Sequence, residues 1–291
     1  MDIEYLLLLQ NLREASGGVL NGFFLAVTHL GGATAMILVM AAVYWCIDKS
    51  VGEYLLFNAL IGKVLNEVIK ITACVPRPWL RDSRVTPLAA AIDGATGYSF
   101  PSGHTTIAAA MWGGLAVKYR KRRALAVLFV VLWVLVAFSR NYVGVHTPQD
   151  VVVASLLGIG LLWLSLRLES WLVHHPERDL AVTGVILAAG FVLMLYAACK
   201  SYPVFEVNGV VAADPAQLRL DAFSTAGAAV GFGVGWLLER RVVGFSVEGS
   251  VLRRVVRFVV GIATVLVLYQ TLGTVCELVL PAASAAALSM G

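Results

Sequence analysis

Three short segments of this chain gather side chains that grip anions and move protons. The first runs from Lys70 to Arg77-Pro78, the second is Pro101-Ser102-Gly103-His104, and the third is Ser139-Arg140 followed by His146 and Asp150. Arginine forks bind the oxygens of an oxyanion in pairs. Backbone N–H groups at a helix start bind anions with the helix dipole behind them. Ser102 and Gly103 stand where such groups would be offered, and Gly103 lets the backbone approach closely. Lys70, Arg77, Ser102, Gly103 and Arg140 therefore read together as a phosphate cradle. His146 and Asp150 are four apart across a predicted helix start, near enough for their side chains to meet. A carboxylate on one ring nitrogen fixes the tautomer and leaves the other free to attack. His104, on a different segment, is placed to donate a proton to a leaving oxygen. No carboxylate cluster accompanies these groups, and Cys46, Cys74, Cys199 and Cys276 show no CxxC or zinc spacing, so neither a metal nor a cofactor is expected. A disulfide is left open.

The elements that must position these residues are apolar helices. Of the 291 residues 59% are hydrophobic and only 14% charged, against about 25% charged in ordinary soluble domains. So few charges cannot cover a soluble protein of this size, and the bilayer is the natural solvent. Stretches long enough to span lie at 31–47, 51–72, 103–118, 123–140, 148–167, 180–198, 221–238 and 256–277. Residues 18–30 read as a shorter, partly inserted segment. The first 17 residues lack the basic start and cleavage site of a signal peptide and read as a short interfacial helix. The fold class expected is all-α, a polytopic membrane bundle.

Basic residues set the orientation. Alternate loops, including the 118–123 and 240–257 clusters, hold thirteen Lys and Arg, against eight on the opposite side. The larger set marks the cytoplasm. Lys70, Arg77 and Arg140 are among the eight but belong to the cradle, which sharpens the bias. Loops 73–102 and 141–147 then face outward together, and all three chemical segments meet at that face. In so apolar a chain the basic clusters read as cytoplasmic loops, and no nucleic-acid partner is expected.

KxxxxxxRP, PSGH and SRxxxxxHxxxD, complete and in order at Lys70–Pro78, Pro101–His104 and Ser139–Asp150, resemble the three signatures of the type 2 phosphatidic acid phosphatase (PAP2) superfamily. The likeness covers roughly residues 50–165, and residues 180–291 resemble extra spans of some bacterial members. The resemblance implies His146 as nucleophile, Asp150 as its orienting partner, His104 as general acid, and Lys70, Arg77, Ser102, Gly103 and Arg140 as phosphate ligands. It implies residues 1–30 as interfacial or partly inserted helices, 31–170 as a PAP2-type catalytic core and 171–291 as additional C-terminal transmembrane helices. The activity implied is metal-independent hydrolysis of a lipid phosphomonoester or pyrophosphate at the outer leaflet of a bacterial plasma membrane, through a phosphohistidine. A phosphotransferase passing the group to a lipid acceptor shares the same intermediate, and a non-enzymatic transporter or scaffold is the remaining alternative.

Several residues also have plainer readings. Thr147-Pro148-Gln149-Asp150 has the form of a helix cap, a proline at the first helical position and an acidic third residue. Ser102 fits a simple helix cap, and Arg140 fits a helix C-terminus. Lys63 and Glu67, four apart inside the second span, read as a supporting pair, with Glu67 near enough to place Lys70. His174 and His175 read as solvated, and Trp112, Trp133, Trp163 and Trp171 as interfacial or packing residues.

Overall fold

The computed structural model describes residues 2–279 except 93, 96, 204, 208, 209, 212 and 213, with side chains in the final helix described to Thr271. The chain is helical nearly throughout. α1 (Asp2–Ala15) is followed by α2 (Asn21–His29) and α3 (Ala33–Ala42), which continues through a π-helical turn at Val43–Ile47. α4 (Lys49–Ala73) is followed by two short helices, α5 (Pro78–Arg81) and α6 (Ala89–Ile92). α7 (Gly103–Ala108), a π-helical turn at Ala109–Gly113 and α8 (Gly114–Lys118) form one run. Then come α9 (Arg123–Tyr142), α10 (Pro148–His174), α11 (Asp179–Cys199), α12 (Pro215–Leu238) and α13 (Val251–Val279). A two-residue antiparallel ribbon, β1 (Glu206–Val207) with β2 (Val210–Val211), caps the α11–α12 connection.

Every one of the eight expected spans is helical. Among the described residues, on length and composition alone, the three helices Arg123–Tyr142, Pro148–His174 and Pro176–Cys199 qualify as membrane-crossing, and the pair Asn21–His29 and Ala33–Ile47, bent by 52°, makes a fourth if it is one span. The reason for the shorter count is visible in the others. α4 carries Lys49, Glu53, Lys63, Glu67 and Lys70, and the 103–118 run is too short. α4 lies against α10 and α12, and the 103–118 run against α9 and α10, where protein replaces lipid as their surroundings.

Burial along α4 at Val51, Leu55, Asn58, Gly62 and Asn66 follows one helical face. That face meets Thr106 and Leu161 at Gly62, so α4, α7 and α10 enclose a common core. Close approach is strict where α10 crosses the π-helical turn: a Cβ on Gly158 would stand 2.4 Å from that of Ala109. The α11–α12 hairpin leans on α4 through α12, with Leu193, Ala197, Leu218, Ala222 and Ala226 packed around Ile71 and Tyr98.

At the end of the bundle that carries the basic loops, ion pairs join the elements. Lys118 pairs with Glu169 at 2.5 Å, Lys49 with Glu239 at 2.5 Å, and Arg240 reaches Asp179 at 3.1 Å and Glu53 at 3.4 Å. His174 and His175 are exposed there, as expected. Trp112 and Trp133 take packing positions in the main core, whereas Trp163 and Trp171 are exposed. Cys46, Cys74 and Cys199 are free, and the side chain of Cys276 lies outside the described residues. No ion pair joins Lys63 to Glu67 among the described residues: Lys63 points outward, while Glu67 is buried with its Oε1 unpartnered.

Candidate active site

The opposite end of the bundle brings the three segments together. α4 closes at Cys74 in the left-handed conformation (φ 48°), and its N–H bonds the Lys70 carbonyl. This turn sends the chain across the bundle mouth to Arg77, which is 3% exposed. Arg77 donates through Nε to the Gly97 carbonyl (3.0 Å) and through Nη1 to the Val145 carbonyl (3.1 Å). Nη1 also lies 2.9 Å from His146 Nε2.

That last contact assigns the tautomer. A guanidinium only donates, so Nε2 must offer its lone pair and Nδ1 must carry the proton. Nδ1 then faces Asp150 Oδ2 at 3.2 Å. The same carboxylate oxygen accepts from Ser99 Oγ (2.5 Å) and from the Thr147 N–H (2.8 Å). The Thr147–Asp150 capping box is complete, so the helix-cap reading of Asp150 and its contact with His146 both hold. Burial, followed by the positive charge of Arg77, pushes His146 well below the ordinary histidine value, against the hydrogen bond that Nδ1 donates to Asp150. The ring is neutral at pH 7. Burial likewise lowers Arg77, to about 10, with Asp150 opposing; it remains a cation.

Arg140, near the end of α9, is 1% exposed. Its Nη1 donates to Thr28 Oγ1 at 2.6 Å, while Nε and Nη2 are buried without partners. Unpaired buried donors are rare and costly, and these two belong to a permanent cation beside Arg77. The plain reading of Arg140 as a helix-end charge does not account for them. Lys70 Nζ lies 3.9 Å from where a Cβ on Gly103 would stand. His104 is half-buried, its ring against Gly32 and Gly94, and the charges of Arg140, His146, Arg77 and Lys70 act on it.

Ser102 is the helix cap: its Oγ accepts from the Thr105 N–H (3.4 Å) and the Thr105 hydroxyl (3.0 Å), and its own N–H donates to the Asp150 carbonyl (3.1 Å). The N–H of Ser102 is therefore committed to the protein, and its hydroxyl proton is what it has left to give. All eight residues singled out in the sequence gather at this mouth. Among the described residues no three His, Cys, Asp or Glu side chains are placed to hold a metal ion.

Three supporting residues escaped the sequence reading. Thr28 orients Arg140 from the α2–α3 bend, and Ser99 holds Asp150. Tyr98, fully buried, bonds the Pro203 carbonyl at 3.0 Å and so braces the 97–99 loop against the α11–α12 connection. Ser and Thr in loops are too common to signal such roles. Asn66, on the buried face of α4, donates to Thr106 Oγ1 (2.9 Å) and fastens α4 to α7 one turn below Lys70.

Apolar helices thus bring buried cations, two histidines and a carboxylate together at one mouth, an arrangement suited to a phosphorylated ligand. Residues 52–173 match the PAP2 superfamily domain, and residues 223–290 match the PAP2 superfamily phosphatase transmembrane extension. An undecaprenyl-diphosphatase of Sulfolobus acidocaldarius is 31% identical over 157 residues, 52% of this chain and 71% of that protein. Undecaprenyl-diphosphatase BcrC of Bacillus subtilis is 29% identical over 56% of this chain and 81% of its own length. Phosphatidylglycerophosphatase B of Escherichia coli is 40% identical over 83 residues, 28% of this chain and 31% of that protein. No solved structure matches the chain. The chain belongs to the PAP2 superfamily, and it is a membrane phosphatase that hydrolyses phosphate esters.

Proposed function

We propose that this phosphatase removes phosphate from a lipid phosphomonoester or pyrophosphate at the extracytoplasmic leaflet of a bacterial plasma membrane, through a phosphohistidine on His146 and without a metal. The observation that carries this reading is the line Arg77 Nη1, His146 Nε2, His146 Nδ1, Asp150 Oδ2, with separations of 2.9 and 3.2 Å. It presents an unprotonated ring nitrogen among cations. Residues 31–170 form the catalytic core in this reading, with 1–30 as its interfacial entrance and 171–291 as added spans.

As Arg77 Nη1 passes its hydrogen bond from Nε2 to a phosphate oxygen, the freed Nε2 lone pair attacks phosphorus and forms an N–P bond while the bond to the leaving oxygen breaks. His104 gives that oxygen its proton. Asp150 stabilises the positive charge on the ring. A water then attacks phosphorus, His104 takes its proton, the N–P bond breaks, and inorganic phosphate leaves. Lys70, Arg77 and Arg140, with the hydroxyl of Ser102 and the N–H of Gly103, stabilise the oxygens during transfer. The relatives named undecaprenyl-diphosphatase favour a polyprenyl pyrophosphate, and those named phosphatidylglycerophosphatase favour a glycerophospholipid monoester. A site at a bundle mouth suits both, since the tail stays in the bilayer. The outward side follows from the thirteen-to-eight bias of basic residues.

The test is a rapid quench with lipid phosphate labelled on its terminal phosphorus. Protein-bound label stable to base and lost in acid is expected in the wild type and absent in His146→Ala. Full turnover by His146→Ala would end the covalent reading.

A further inference from the structure

The N-terminal helix is tied to the site by one buried cation. α1 buries Leu6, Leu9 and Arg13 along a single face and exposes Leu8 and Leu12. Arg13 is 6% exposed, and both ends of its guanidinium are used. Nη2 donates to the Thr86 carbonyl at 2.7 Å, and Nη1 to the Tyr142 carbonyl at 3.3 Å. Thr86 lies in the loop that begins at Arg77. Tyr142 ends α9, two residues after Arg140 and four before His146.

These two segments touch beneath Arg13. The Leu88 N–H donates to the Val143 carbonyl at 3.0 Å, and Gly144, at φ 80°, lies against Pro87. One residue further, the Val145 carbonyl receives Arg77 Nη1. The junction thus sets the register between the strand of chain that carries Arg77 and the one that carries His146. Gln10 adds to it, accepting from the Thr86 N–H at 2.9 Å. The outer pairs of α1, Asp2 with Arg81 and Glu4 with Arg84, join the helix to the near side of the loop.

We propose that Arg13 is a positioning residue for the phosphate site, locking the Arg77 loop to the Arg140–His146 turn through the Thr86 and Tyr142 carbonyls. A carbonyl pair held by one planar fork has a fixed separation that a lysine or a water would not impose. The proposal rests on the phosphatase reading above. Its distinctive consequence is that loss of Arg13 alters anion binding and the chemical step while the bundle stays folded.

Three variants test it. In Arg13→Ala, kcat on a lipid phosphate should fall roughly ten- to a hundredfold, the cost of misplacing reacting groups by a fraction of an ångström to an ångström. The inhibition constant for orthovanadate should rise by a similar factor. Arg13→Lys, which reaches one carbonyl at a time, should fall between. Glu4→Ala, which removes an exposed pair from the same helix, should stay within about twofold of wild type. Thermal stabilisation by orthovanadate reads the anion site without turnover, so it reports on Arg13 even if the lipid substrate is misassigned. A lowered melting temperature with unchanged orthovanadate stabilisation and unchanged kcat in Arg13→Ala would assign the residue to folding alone and overturn the proposal. So would equal losses in Glu4→Ala and Arg13→Ala.

Discussion

Replacing Asp150 by asparagine separates the two tasks that its carboxylate performs for His146. The first task is to fix the tautomer, and here Asp150 does not work alone. Ser99 Oγ and the Thr147 N–H both donate to Oδ2, at 2.5 and 2.8 Å. An asparagine must therefore turn its carbonyl, not its amide nitrogen, toward them and toward His146 Nδ1. Arg77 Nη1, 2.9 Å from Nε2, demands a lone pair on the other side of the ring. Both constraints keep the proton on Nδ1. The second task is to supply negative charge as the ring becomes cationic, and that is lost. At about 4 Å and an effective dielectric of about 20, a unit charge is worth roughly 4 kcal/mol. A loss of that size is close to a thousandfold in rate. Asp150→Asn should lower kcat on a lipid phosphate in mixed micelles by between about a hundredfold and a thousandfold. In a serine-protease triad, where the other ring nitrogen meets a hydroxyl that can accept as well as donate, the same change costs about ten-thousandfold through the wrong tautomer. A loss as complete as that of His146→Ala would show that Arg77 does not hold the ring. A loss of less than about tenfold would mean that Asp150 does not stabilise the reacting histidine.

His104→Ala should lose roughly a hundredfold or more on a lipid phosphate, whose alkoxide needs a proton, and retain a much larger fraction of activity on p-nitrophenyl phosphate. Equal losses on both substrates would remove His104 from the acid role. Turnover should survive chelators and be inhibited by orthovanadate, since cations and N–H groups make up the cradle; strict dependence on added magnesium would contradict this. Cysteines introduced into loop 73–102 should label from outside intact cells, and those in loops 118–123 and 240–257 only after the membrane is opened. The reverse pattern would invert the topology.

The candidate site residues are legible because cationic and titratable side chains are rare inside apolar segments. Lys70, Arg77, Arg140, His104 and His146 stand out against their surroundings, and the alternation of spans carries them to one face. The helices were legible for the same reason, through their apolar runs. What could not be read is the set of contacts between segments distant in sequence. Thr28 meets Arg140 across 112 positions, and Arg13 meets Tyr142 across 129. Neither shows any local periodicity that would announce it. The expected Lys63–Glu67 pair fails for a geometric reason: spacing of four puts two side chains on adjacent turns, but α4 turns Lys63 outward and Glu67 into the bundle.

The two buried arginines beside His146 are not equivalent, although the sequence alone treats them alike. Arg77 spends Nε and Nη1 on the Gly97 and Val145 carbonyls and on His146 Nε2. It is part of the frame that holds the His146 ring, so its removal should disturb the proposed nucleophile as well as the proposed cradle. Arg140 spends one nitrogen on Thr28 and leaves Nε and Nη2 buried and unpartnered. Such donors destabilise the protein on their own and are relieved by an oxyanion that accepts from both at once. Arg140 is thus the better candidate for the fork that would grip the transferred group, and Arg77 for the one that orients the ring. A guanidinium with two open donors held in place by a threonine is a preorganised oxyanion contact. α2 and α7 both pack on α9, and Thr28 of α2 holds Arg140, so the proposed site would include the bent α2–α3 segment beside the signature residues.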